Sequence, residues 1–183
     1  DILINNAGMS MRGLFQDTTL ELFNKIMDIN FTGAVNMTKF ALETITQNKG
    51  SIVFISSLSG LKGLPGIAPY GTAKMALTGF SDSLRCETNH LGVHVGIVYV
   101  GITQNDQGKK TYKSDGELMD ILPRNTKNTQ EGVARIVSNC IQNRRNKVYH
   151  STLGKLTKLL YQFFPALSDR LLARFTLDQY RRR

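Results

Sequence analysis

Residues 57–74 read Ser-Leu-Ser-Gly-Leu-Lys-Gly-Leu-Pro-Gly-Ile-Ala-Pro-Tyr-Gly-Thr-Ala-Lys. The apolar run before this stretch, Ser51-Ile-Val-Phe-Ile-Ser56, predicts a buried strand. The segment from Tyr70 to about His90 has apolar residues at helical spacing and predicts a helix. Ser57 therefore lies where the predicted strand ends, which is where a parallel sheet places its functional groups.

Three side chains of this stretch have the chemistry of a proton-transfer unit. Tyr70 and Lys74 are four residues apart, so on a helix both project from the same face. A phenol is a poor acid or base near neutral pH because its reference pKa is about 10, and a cation held about 4 Å away favours the phenolate. Ser57 can donate a hydrogen bond to a carbonyl oxygen or to the oxyanion that it becomes. A Tyr-x-x-x-Lys pair alone is usually a helix-surface pair, and the upstream serine is what favours a functional interpretation.

Together with Asn5-Asn6-Ala7-Gly8 and Asn30, these three residues resemble the short-chain dehydrogenase/reductase family. The resemblance runs from Asp1 to about Ser151 and includes several motifs in the family's order. It implies an α/β fold, a Rossmann-like doubly wound parallel sheet. It also implies transfer of a hydride between NAD or NADP and an alcohol/carbonyl substrate, a small molecule that the residues do not identify.

The resemblance assigns roles to the catalytic residues. Tyr70 would be the general acid or base, Lys74 would lower the pKa of Tyr70 and bind the nicotinamide ribose, and Ser57 would orient the carbonyl. Asn30 interrupts an apolar helical run, where a buried amide is costly unless it is hydrogen-bonded. By itself Asn30 would be a satisfied buried amide; in the family its backbone carbonyl holds a water that joins the lysine to a proton relay.

The first segment expected to border the cofactor is Asn5-Asn6-Ala7-Gly8. It closes a predicted short buried strand, Ile2-Leu3-Ile4. Small residues there let the backbone approach a ligand, and amides can fix neighbouring strands. The alternative is an ordinary strand-ending turn. With the family, Asn6, Ala7 and Gly8 border the adenosine side of the cofactor.

The second such segment is Gly101-Ile102-Thr103, after a predicted strand over Val93–Val100. Its backbone would meet the nicotinamide carboxamide. The family usually has Pro-Gly here and a threonine four residues past the glycine, whereas this chain has Val100 and Asn105 at those positions. The expected cofactor-binding residues are thus Asn6, Ala7, Gly8, Tyr70, Lys74, Gly101, Ile102 and Thr103.

The sequence opens in mid-strand, which has a consequence for the expected activity. The resemblance implies that three strands and their helices, on the order of 80 residues, precede Asp1. That segment would carry the glycine-rich phosphate loop and the residue that selects NAD from NADP. We therefore interpret the chain as the C-terminal part of a larger enzyme, truncated in the N-terminal half of its sheet, and expect the isolated chain to be inactive.

Two regions between the motifs are also interpretable. Apolar spacing predicts a helix from a cap at Thr18 or Thr19 to about Gln47, with Gly33 allowing a kink. In the family this helix and the one from Tyr70 commonly form the subunit interface, so a homodimer or homotetramer is expected.

Residues 106–128 are polar, and we interpret them as a lid over the substrate. The alternative is a surface loop with one short helix over 117–122.

Composition narrows the class of protein. The 183 residues, 41% hydrophobic and 20% charged, suit one globular domain with a sizeable core. A net charge of +9 suits nucleic acid, a membrane surface or an anionic substrate or cofactor. No zinc spacing or RNA-binding motif supports nucleic acid, and the histidines show no metal-ligand spacing. Two distant cysteines form no disulfide framework and favour a reducing, cytoplasmic compartment.

Residues 152–183 form a basic tail that is distinct from the domain expected over residues 1–151. Its apolar positions are Leu153, Leu156, Leu159, Leu160, Phe163, Phe164, Leu167, Leu171, Leu172 and Phe175, with an interruption at Pro165. The usual explanation is burial against the domain or a sister subunit, and a basic amphipathic helix can also lie on an anionic membrane. The tail hints at a lipid-like substrate and at peripheral membrane contact.

A non-catalytic family member that acts as a binding or membrane-surface protein is the alternative function. Such a protein would use the fold without hydride transfer. The retention of Asn30, Ser57, Tyr70 and Lys74 argues against it.

Overall fold

The computed structural model describes residues 1–121 and 123–180, and the side chains of all of these except residues 152–153 and 174–180. The strands are β1 (Ile2–Asn5), β2 (Met11–Arg12), β3 (Ser51–Ser57), β4 (His94–Val100), β5 (Lys110–Lys113), β6 (Leu118–Asp120) and β7 (Lys147–Tyr149). The helices are α1 (Leu20–Met27), α2 (Gly33–Gln47), α3 (Ala68–Thr88), α4 (Gln130–Gln142), α5 (Thr152–Phe163) and α6 (Pro165–Tyr180).

The main sheet is parallel throughout, with the strand order β1-β3-β4-β7. Alternate residues of β3 point to opposite faces. Phe54 packs in a cluster with Leu77 of α3 and Ile45 of α2, whereas Val53 packs with Val137 of α4. Helices thus cover both faces of the two central strands, which explains their nearly continuous apolar sequences. The expected doubly wound α/β fold is confirmed.

Strand β1 differs from the buried strand that its sequence predicts. Leu3 packs on the core, but Ile2 and Ile4 are 56% and 45% exposed. Both isoleucines point to the α4 face of the sheet, because Ile4 is the register partner of Val53. Helix α4 packs against β3 and β4 on that face. Within the described residues β1 is therefore an edge strand, buried on one face.

The helix predicted from a cap at Thr18 or Thr19 to about Gln47 is interrupted by a π-helical turn at Asp28–Thr32. Its predicted cap is confirmed, since the side chain of Thr19 accepts a hydrogen bond from Leu22 N at 3.2 Å. The turn ends where Gly33 N–H donates to Asp28 O, five residues back. The kink expected at Gly33 is this turn, and it carries Asn30 into the interior. Single π turns of this kind are frequent at functional sites.

Residues 106–128 contain a hairpin, not the short helix allowed over 117–122. Strands β5 and β6 pair antiparallel, and β2 pairs with β5 in parallel to form a three-stranded second sheet. The chain reverses at Gly116, whose φ of +91° is readily adopted by glycine and whose N–H donates to Lys113 O at 3.1 Å. The short helix of the alternative interpretation is therefore wrong for residues 118–120, which form β6, and Leu122 lies outside the described residues.

The tail forms α5 and α6, with the break at Pro165 that the sequence predicts. Tyr161 packs against the main core, and Asp169 of α6 pairs with Lys62 at 2.5 Å. Most of the described apolar stripe stays uncovered, with Phe163 65% and Phe164 60% exposed. The other exposed members are Leu156, Leu159, Leu167 and Leu171. Burial against its own domain thus explains only part of the stripe; the side chains of Leu153 and Phe175 and all of residues 181–183 lie outside the description.

None of the helices in the described parts of the chain combines the length and the hydropathy that crossing a bilayer requires.

Candidate active site

The carboxyl ends of β1, β3 and β4 bring three predicted segments to one edge of the main sheet. Residues 6–8 follow β1, Ser57 ends β3, and Gly101 follows β4. Because β3 lies between β1 and β4 and all three are parallel, Ser57 sits between the two segments expected to border the cofactor. This is the edge at which open α/β sheets bind their ligands.

Ser57, Tyr70 and Lys74 come together at this edge. Helix α3 starts at Ala68 with a proline in its first turn, where the missing N–H is not needed. Ser57 Oγ accepts a hydrogen bond from Ser59 N at 3.2 Å. The Ser57 side chain is also near enough to Tyr70 to act on the pKa of the phenol, which it lowers. One turn along, Lys74 Nζ donates to Ile55 O of β3 at 3.0 Å and lies 5.6 Å from the centroid of the Tyr70 ring. A phenol hydroxyl, a serine hydroxyl and an ammonium group thus form one cluster.

The turn between β3 and α3 depends on a close approach at Gly60. A Cβ atom at this glycine would lie 2.7 Å from Lys74 O and would also contact Ser56 Oγ. Ser56 Oγ donates to the same Lys74 carbonyl at 3.2 Å. The first two turns of α3 are therefore held against the end of β3, which fixes the position of Lys74 relative to Ser57.

Asn30 lies next to this cluster and is oriented by its own amide. Its Nδ2 donates to Met9 O at 2.8 Å and to Ile26 O at 2.9 Å. Since both partners are carbonyl oxygens, only the nitrogen can face them, and Oδ1 must point the other way. A Cβ atom at Gly8 would lie 2.6 Å from Asn30 Oδ1 and 3.4 Å from Lys74 Nζ. The buried Oδ1 has no hydrogen-bond partner within the described residues.

The structure changes the interpretation of Asn5-Asn6-Ala7-Gly8. Gly8 makes room for Asn30 and Lys74, so the packing of the site itself already requires a glycine. Asn5 Nδ2 donates to Thr38 Oγ1 at 3.1 Å and links β1 to α2, not to a neighbouring strand. Asn6 and Ala7 are exposed at the sheet edge.

The segment after β4 is braced by the region that follows the hairpin. Thr103 Oγ1 donates to Gly101 O at 3.1 Å, and Ile102 O accepts from Asn128 Nδ2 at 2.8 Å. Gln104 N donates to Asn128 O at 2.9 Å. The side chain of Ile102 is exposed. These bonds hold residues 101–104 across β3 from residues 6–8.

Burial and polar neighbours act in opposite directions on Tyr70. Burial raises the pKa of Tyr70, while Ser57 and the charge of Arg124 act to lower that pKa. Burial also lowers the pKa of Lys74 to about 8. That Lys74 lowers the pKa of Tyr70 stays a prediction.

Arg124 is the residue near the site that sequence reasoning missed. It lies between the hairpin and α4 in a stretch without a motif, and its charge reaches Tyr70 through the fold alone. The available signal was its position within the predicted lid. His94, by contrast, makes contacts within the fold, with ring nitrogens 3.2 Å from Ser51 Oγ and 3.1 Å from Arg145 O.

Comparison with known proteins gives the family. A family model described as short chain dehydrogenase matches residues 1–116, which include the serine, tyrosine, lysine and Asn30 positions. This chain belongs to the short-chain dehydrogenases. The sequence-based recognition of the family is thereby confirmed.

The short-chain dehydrogenase has relatives in animals. It is 30% identical over 177 residues to the zebrafish (Danio rerio) protein named dehydrogenase/reductase SDR family member 7B, a match that covers 94% of this chain and 57% of that relative. The chain therefore spans little more than half the length of this curated relative.

Solved structures show the same fold. A short-chain dehydrogenase from Streptomyces avermitilis matches with a TM-score of 0.71 at 22% identity, over 100% of this chain and 70% of that one. A 4-hydroxyisoleucine dehydrogenase complexed with NADH matches with a TM-score of 0.67 at 21% identity, over 81% of this chain and 66% of that one. At these identities the likeness establishes the architecture of the short-chain dehydrogenase and not its substrate.

Proposed function

We propose that this chain carries the proton-transfer site of an NAD- or NADP-dependent oxidoreductase that interconverts an alcohol and a carbonyl compound. The observation that carries the proposal is the position of the buried Lys74 ammonium group, which donates to Ile55 O at 3.0 Å and lies 5.6 Å from the centroid of the Tyr70 ring, with Ser57 near enough to lower the pKa of the phenol. Membership of a family of oxidoreductases supports it. A structural pair on a helix surface would not need a serine from another element at the phenol.

Tyr70 and Ser57 would act on the same oxygen of the substrate. In reduction, the phenol donates its proton to the carbonyl oxygen as negative charge develops there, and Ser57 Oγ donates a hydrogen bond to that oxygen. In oxidation the proton moves in the opposite direction, from the alcohol to Tyr70. Burial keeps the phenol protonated, whereas Ser57 and Arg124 favour the phenolate. The bound nicotinamide would supply or accept the hydride.

Lys74 and Asn30 would assist Tyr70 in the proton transfer. An ammonium group has three N–H donors, and one of those of Lys74 is used by Ile55 O. The remaining donors are available for a ribose hydroxyl and for a path of protons past Gly8. Asn30 Oδ1 is an acceptor close to that path. The family resemblance gives the relay role to the backbone carbonyl of Asn30, and the orientation of its amide adds the side-chain oxygen as a second acceptor.

The ends of β1 and β4 suit the nicotinamide cofactor. Residues Asn6, Ala7 and Gly8 on one side and Gly101, Ile102 and Thr103 on the other flank Ser57, and the carbonyl and hydroxyl groups of residues 101–103 are already ordered by Asn128 and by one another. The NADH bound by the structurally similar 4-hydroxyisoleucine dehydrogenase supports the same class of cofactor. We expect the phosphate loop to lie in a part of the full-length protein that this chain does not include.

The test is NADH and NADPH oxidation by the full-length protein with a panel of ketones and aldehydes. Turnover with any carbonyl, lost when Tyr70 is replaced, supports the proposal. A full-length protein that binds NAD(P)H but turns over none of the panel would favour the non-catalytic alternative.

Contact with a membrane surface is a second candidate function, and the uncovered stripe of α5 and α6 favours it. Phe163 and Phe164 are exposed beside Leu167, and the chain as a whole carries a charge of +9. A helical face that is both basic and apolar binds anionic bilayers through electrostatic attraction to the lipid headgroups and through burial of its apolar side chains. Sedimentation with phosphatidylserine vesicles, with and without residues 153–183, tests this candidate. Equal sedimentation of the two proteins would exclude the tail as a membrane contact.

Self-association is the remaining proposal. Phe40 is 85% exposed and Met37 lies on the same helix with more than half of its surface exposed. Burying these side chains between two copies of α2 would remove apolar surface from water. Phe40→Glu should therefore lower the molar mass of the full-length protein in sedimentation equilibrium. An unchanged mass would place the subunit contact elsewhere.

A further inference from the structure

The turn that follows Ser57 decides how its hydroxyl group points. Ser57 Oγ accepts the N–H of Ser59, two residues further on, at 3.2 Å. Because this bond uses a lone pair of the oxygen, the hydroxyl hydrogen remains to be donated away from the turn, to an oxygen of the substrate. Leu58 lies between the two serines, so a shift of Leu58 is passed to the residues on both sides of it. The position of Leu58 therefore matters to the proposed role of Ser57.

Leu58 lies against two glycines from distant parts of the chain. A Cβ atom at Gly154, in the first turn of α5, would lie 2.7 Å from Leu58 Cδ2. A Cβ atom at Gly101, just after β4, would lie 3.7 Å from Leu58 Cδ1. The first distance is too short for two carbon atoms, whereas the second is an ordinary contact. Helix α5 therefore approaches Leu58 this closely because residue 154 has no side chain.

The start of α5 is fixed to the main sheet. His150 N donates to Tyr99 O at 3.0 Å, so the end of β7 stays joined to β4 up to the residue before the helix cap. The side chain of Ser151 then caps α5 by accepting a hydrogen bond from Gly154 N at 3.2 Å. The sheet and the cap together therefore fix Gly154 relative to Leu58.

A second contact joins the tail to the same turn. Lys62 Nζ lies 2.5 Å from Asp169 Oδ1 of α6. From the other direction, Thr78 Oγ1 of α3 donates to Gly60 O at 3.1 Å. Residues 57–62, which connect the end of β3 to the segment before α3, are therefore held both by α3 and by the tail.

We propose that Leu58 is a positioning residue for Ser57, and that the first turn of α5, at Gly154, sets the position of Leu58. The start of the tail then belongs to the site, because it fixes the turn that directs the Ser57 hydroxyl toward the substrate oxygen. This inference rests on the proposed function, in which Ser57 donates a hydrogen bond to the reacting oxygen. A group misplaced by about 1 Å can cost on the order of 10²-fold in rate, so small shifts of Leu58 should be measurable.

Gly154→Ala in the full-length protein tests the inference. The added methyl group must displace the end of the Leu58 side chain. With the best ketone or aldehyde of the panel, kcat should fall about 10-fold and KM should change less, because Ser57 acts on charge that develops in the transition state. Leu58→Ala removes the same contact from the other side and should lower kcat by a similar factor, so it replaces Gly154→Ala if that variant does not fold.

Gly132→Ala is the matched control. Gly132 has the same position in α4, three residues after the cap Thr129, whose Oγ1 accepts a hydrogen bond from Gly132 N at 3.0 Å. The described atom that a Cβ there would meet is Thr129 Oγ1, at 3.4 Å. Both substitutions add one methyl group behind a helix cap, but the one at residue 132 does not reach Leu58. The kcat of Gly132→Ala should equal that of the parent.

Two further backgrounds show whether the effect passes through Leu58 and Ser57. In Leu58→Ala, a second substitution Gly154→Ala should change kcat by about two-fold at most, because its methyl group meets no leucine. Ser57→Ala should itself cost about 10²–10³-fold in kcat, and in this background Gly154→Ala should again have little effect. A loss of about 10-fold on adding Gly154→Ala in either background would overturn the inference, because α5 would then act on the site by another path.

The amide resonance of Ser59 separates this inference from the proposed function. In the full-length protein labelled with ¹⁵N-serine, this resonance, assigned with Ser59→Ala, reports the bond to Ser57 Oγ without any substrate. We expect Gly154→Ala to shift it and Gly132→Ala to leave it in place. That shift, in a protein that turns over no carbonyl, would contradict the oxidoreductase and keep the link from α5 to Ser57. An unshifted resonance, or a kcat of Gly154→Ala equal to that of an active parent, would overturn the inference and keep the oxidoreductase.

Discussion

Lys74 and Arg124 are two cations beside one tyrosine, and the structure holds them in different ways. Lys74 is 4% exposed on α3 and bonded to the central strand β3. Arg124 is half-buried on an irregular segment that is fixed by side-chain and backbone bonds to residues 104, 109 and 102. Burial lowers the pKa of Lys74 to about 8, whereas an arginine stays charged throughout the accessible pH range.

The difference separates two tasks of the site. The α3 side places its groups through helix spacing and sheet register, which tolerate little change, and we assign the proton transfer to it. The hairpin side places Arg124 and Arg12 through loops and a small sheet, which vary more readily between proteins. From that side the charge of Arg124 acts on the pKa of Tyr70. Mutations on the α3 side should therefore change turnover itself, whereas loss of the Arg124 charge should change its dependence on pH.

Tyr70→Phe should have the largest effect. It removes one hydroxyl from the α3 side and leaves the ring in its contacts with Met11 and its neighbours. Because the proposed general acid is lost, kcat of the full-length enzyme should fall by about 10²–10⁴-fold with little change in Tm. Phe23→Leu, on α1, serves as a control for a small change in an aromatic side chain away from the phenol hydroxyl. Turnover of Tyr70→Phe within a few-fold of the parent would remove Tyr70 from the chemistry.

Lys74→Met should change both activity and the pH dependence of stability. Lys74 has a pKa of about 8 in the folded chain against 10.5 ordinarily, so the unfolded chain binds this proton more tightly. The free energy of unfolding should therefore rise between these two pH values, by about 3 kcal/mol at most from this group. Lys74→Met should remove that rise and abolish turnover.

Urea unfolding of the full-length protein from pH 7.5 to 10.5 measures this effect. Lys39→Met, at an exposed position on α2, should keep the rise seen in the parent. If Lys74→Met kept it as well, the burial of the Lys74 charge would not be what couples stability to pH.

The same two sides of the site differ in how far the sequence predicts them. Ser57, Tyr70 and Lys74 were predictable because a continuous apolar run and a helical spacing place them on regular elements. The hairpin was not, because β5 and β6 are only four and three residues long, too short for a clear alternation, and only the Asp115-Gly116 pair indicated its turn. Arg124 gave no signal, since its effect on Tyr70 depends on tertiary contacts between segments far apart in sequence.

Asn30 was predictable from the sequence only in part. The sequence predicted a buried, functional amide within a helix, and the structure buries it as expected. The π turn that orients Asn30 was indicated only by Gly33, and the direction of its amide follows from the carbonyls of Met9 and Ile26. A spacing pattern identifies which residue is buried, but not which of its atoms faces the site.

Arg124→Gln should shift a pH profile without abolishing turnover. The charge of Arg124 lowers the pKa of Tyr70, so its removal should raise that pKa further. In the oxidation of a neutral alcohol, where the phenolate is the base, the rise of kcat/KM with pH should move to higher pH. Arg135→Gln, which removes the same charge from an exposed position on α4, should leave the profile in place. A shift to lower pH, or none, would show that Arg124 does not act on the phenol in the working enzyme.

The tail beyond the first turn of α5 should have the smallest effect on the chemistry, because the contact that the described tail residues make next to Ser57 lies at the start of α5. A Cβ atom at Gly154 would lie 2.7 Å from Leu58 Cδ2, next to Ser57, whereas Phe163 and Phe164 lie at the other end of the helix and are exposed. Nine residues of helix separate Gly154 from Phe163, which is about 14 Å. The two phenylalanines can therefore border only the outer part of a long substrate.

Replacing both Phe163 and Phe164 with alanine should raise KM a few-fold for a bulky apolar ketone and leave KM for a small ketone unchanged. The reason is that only the bulky ketone extends far enough to lose apolar contact. Steady-state kinetics of the full-length enzyme with a long-chain and a short-chain methyl ketone measure this, and Lys155→Ala, on the same helix, controls for a change in the tail that removes no apolar surface from the stripe. Equal effects on both ketones, or none on either, would leave the phenylalanines as contacts to a membrane or to a second subunit, which vesicle sedimentation and molar mass then distinguish.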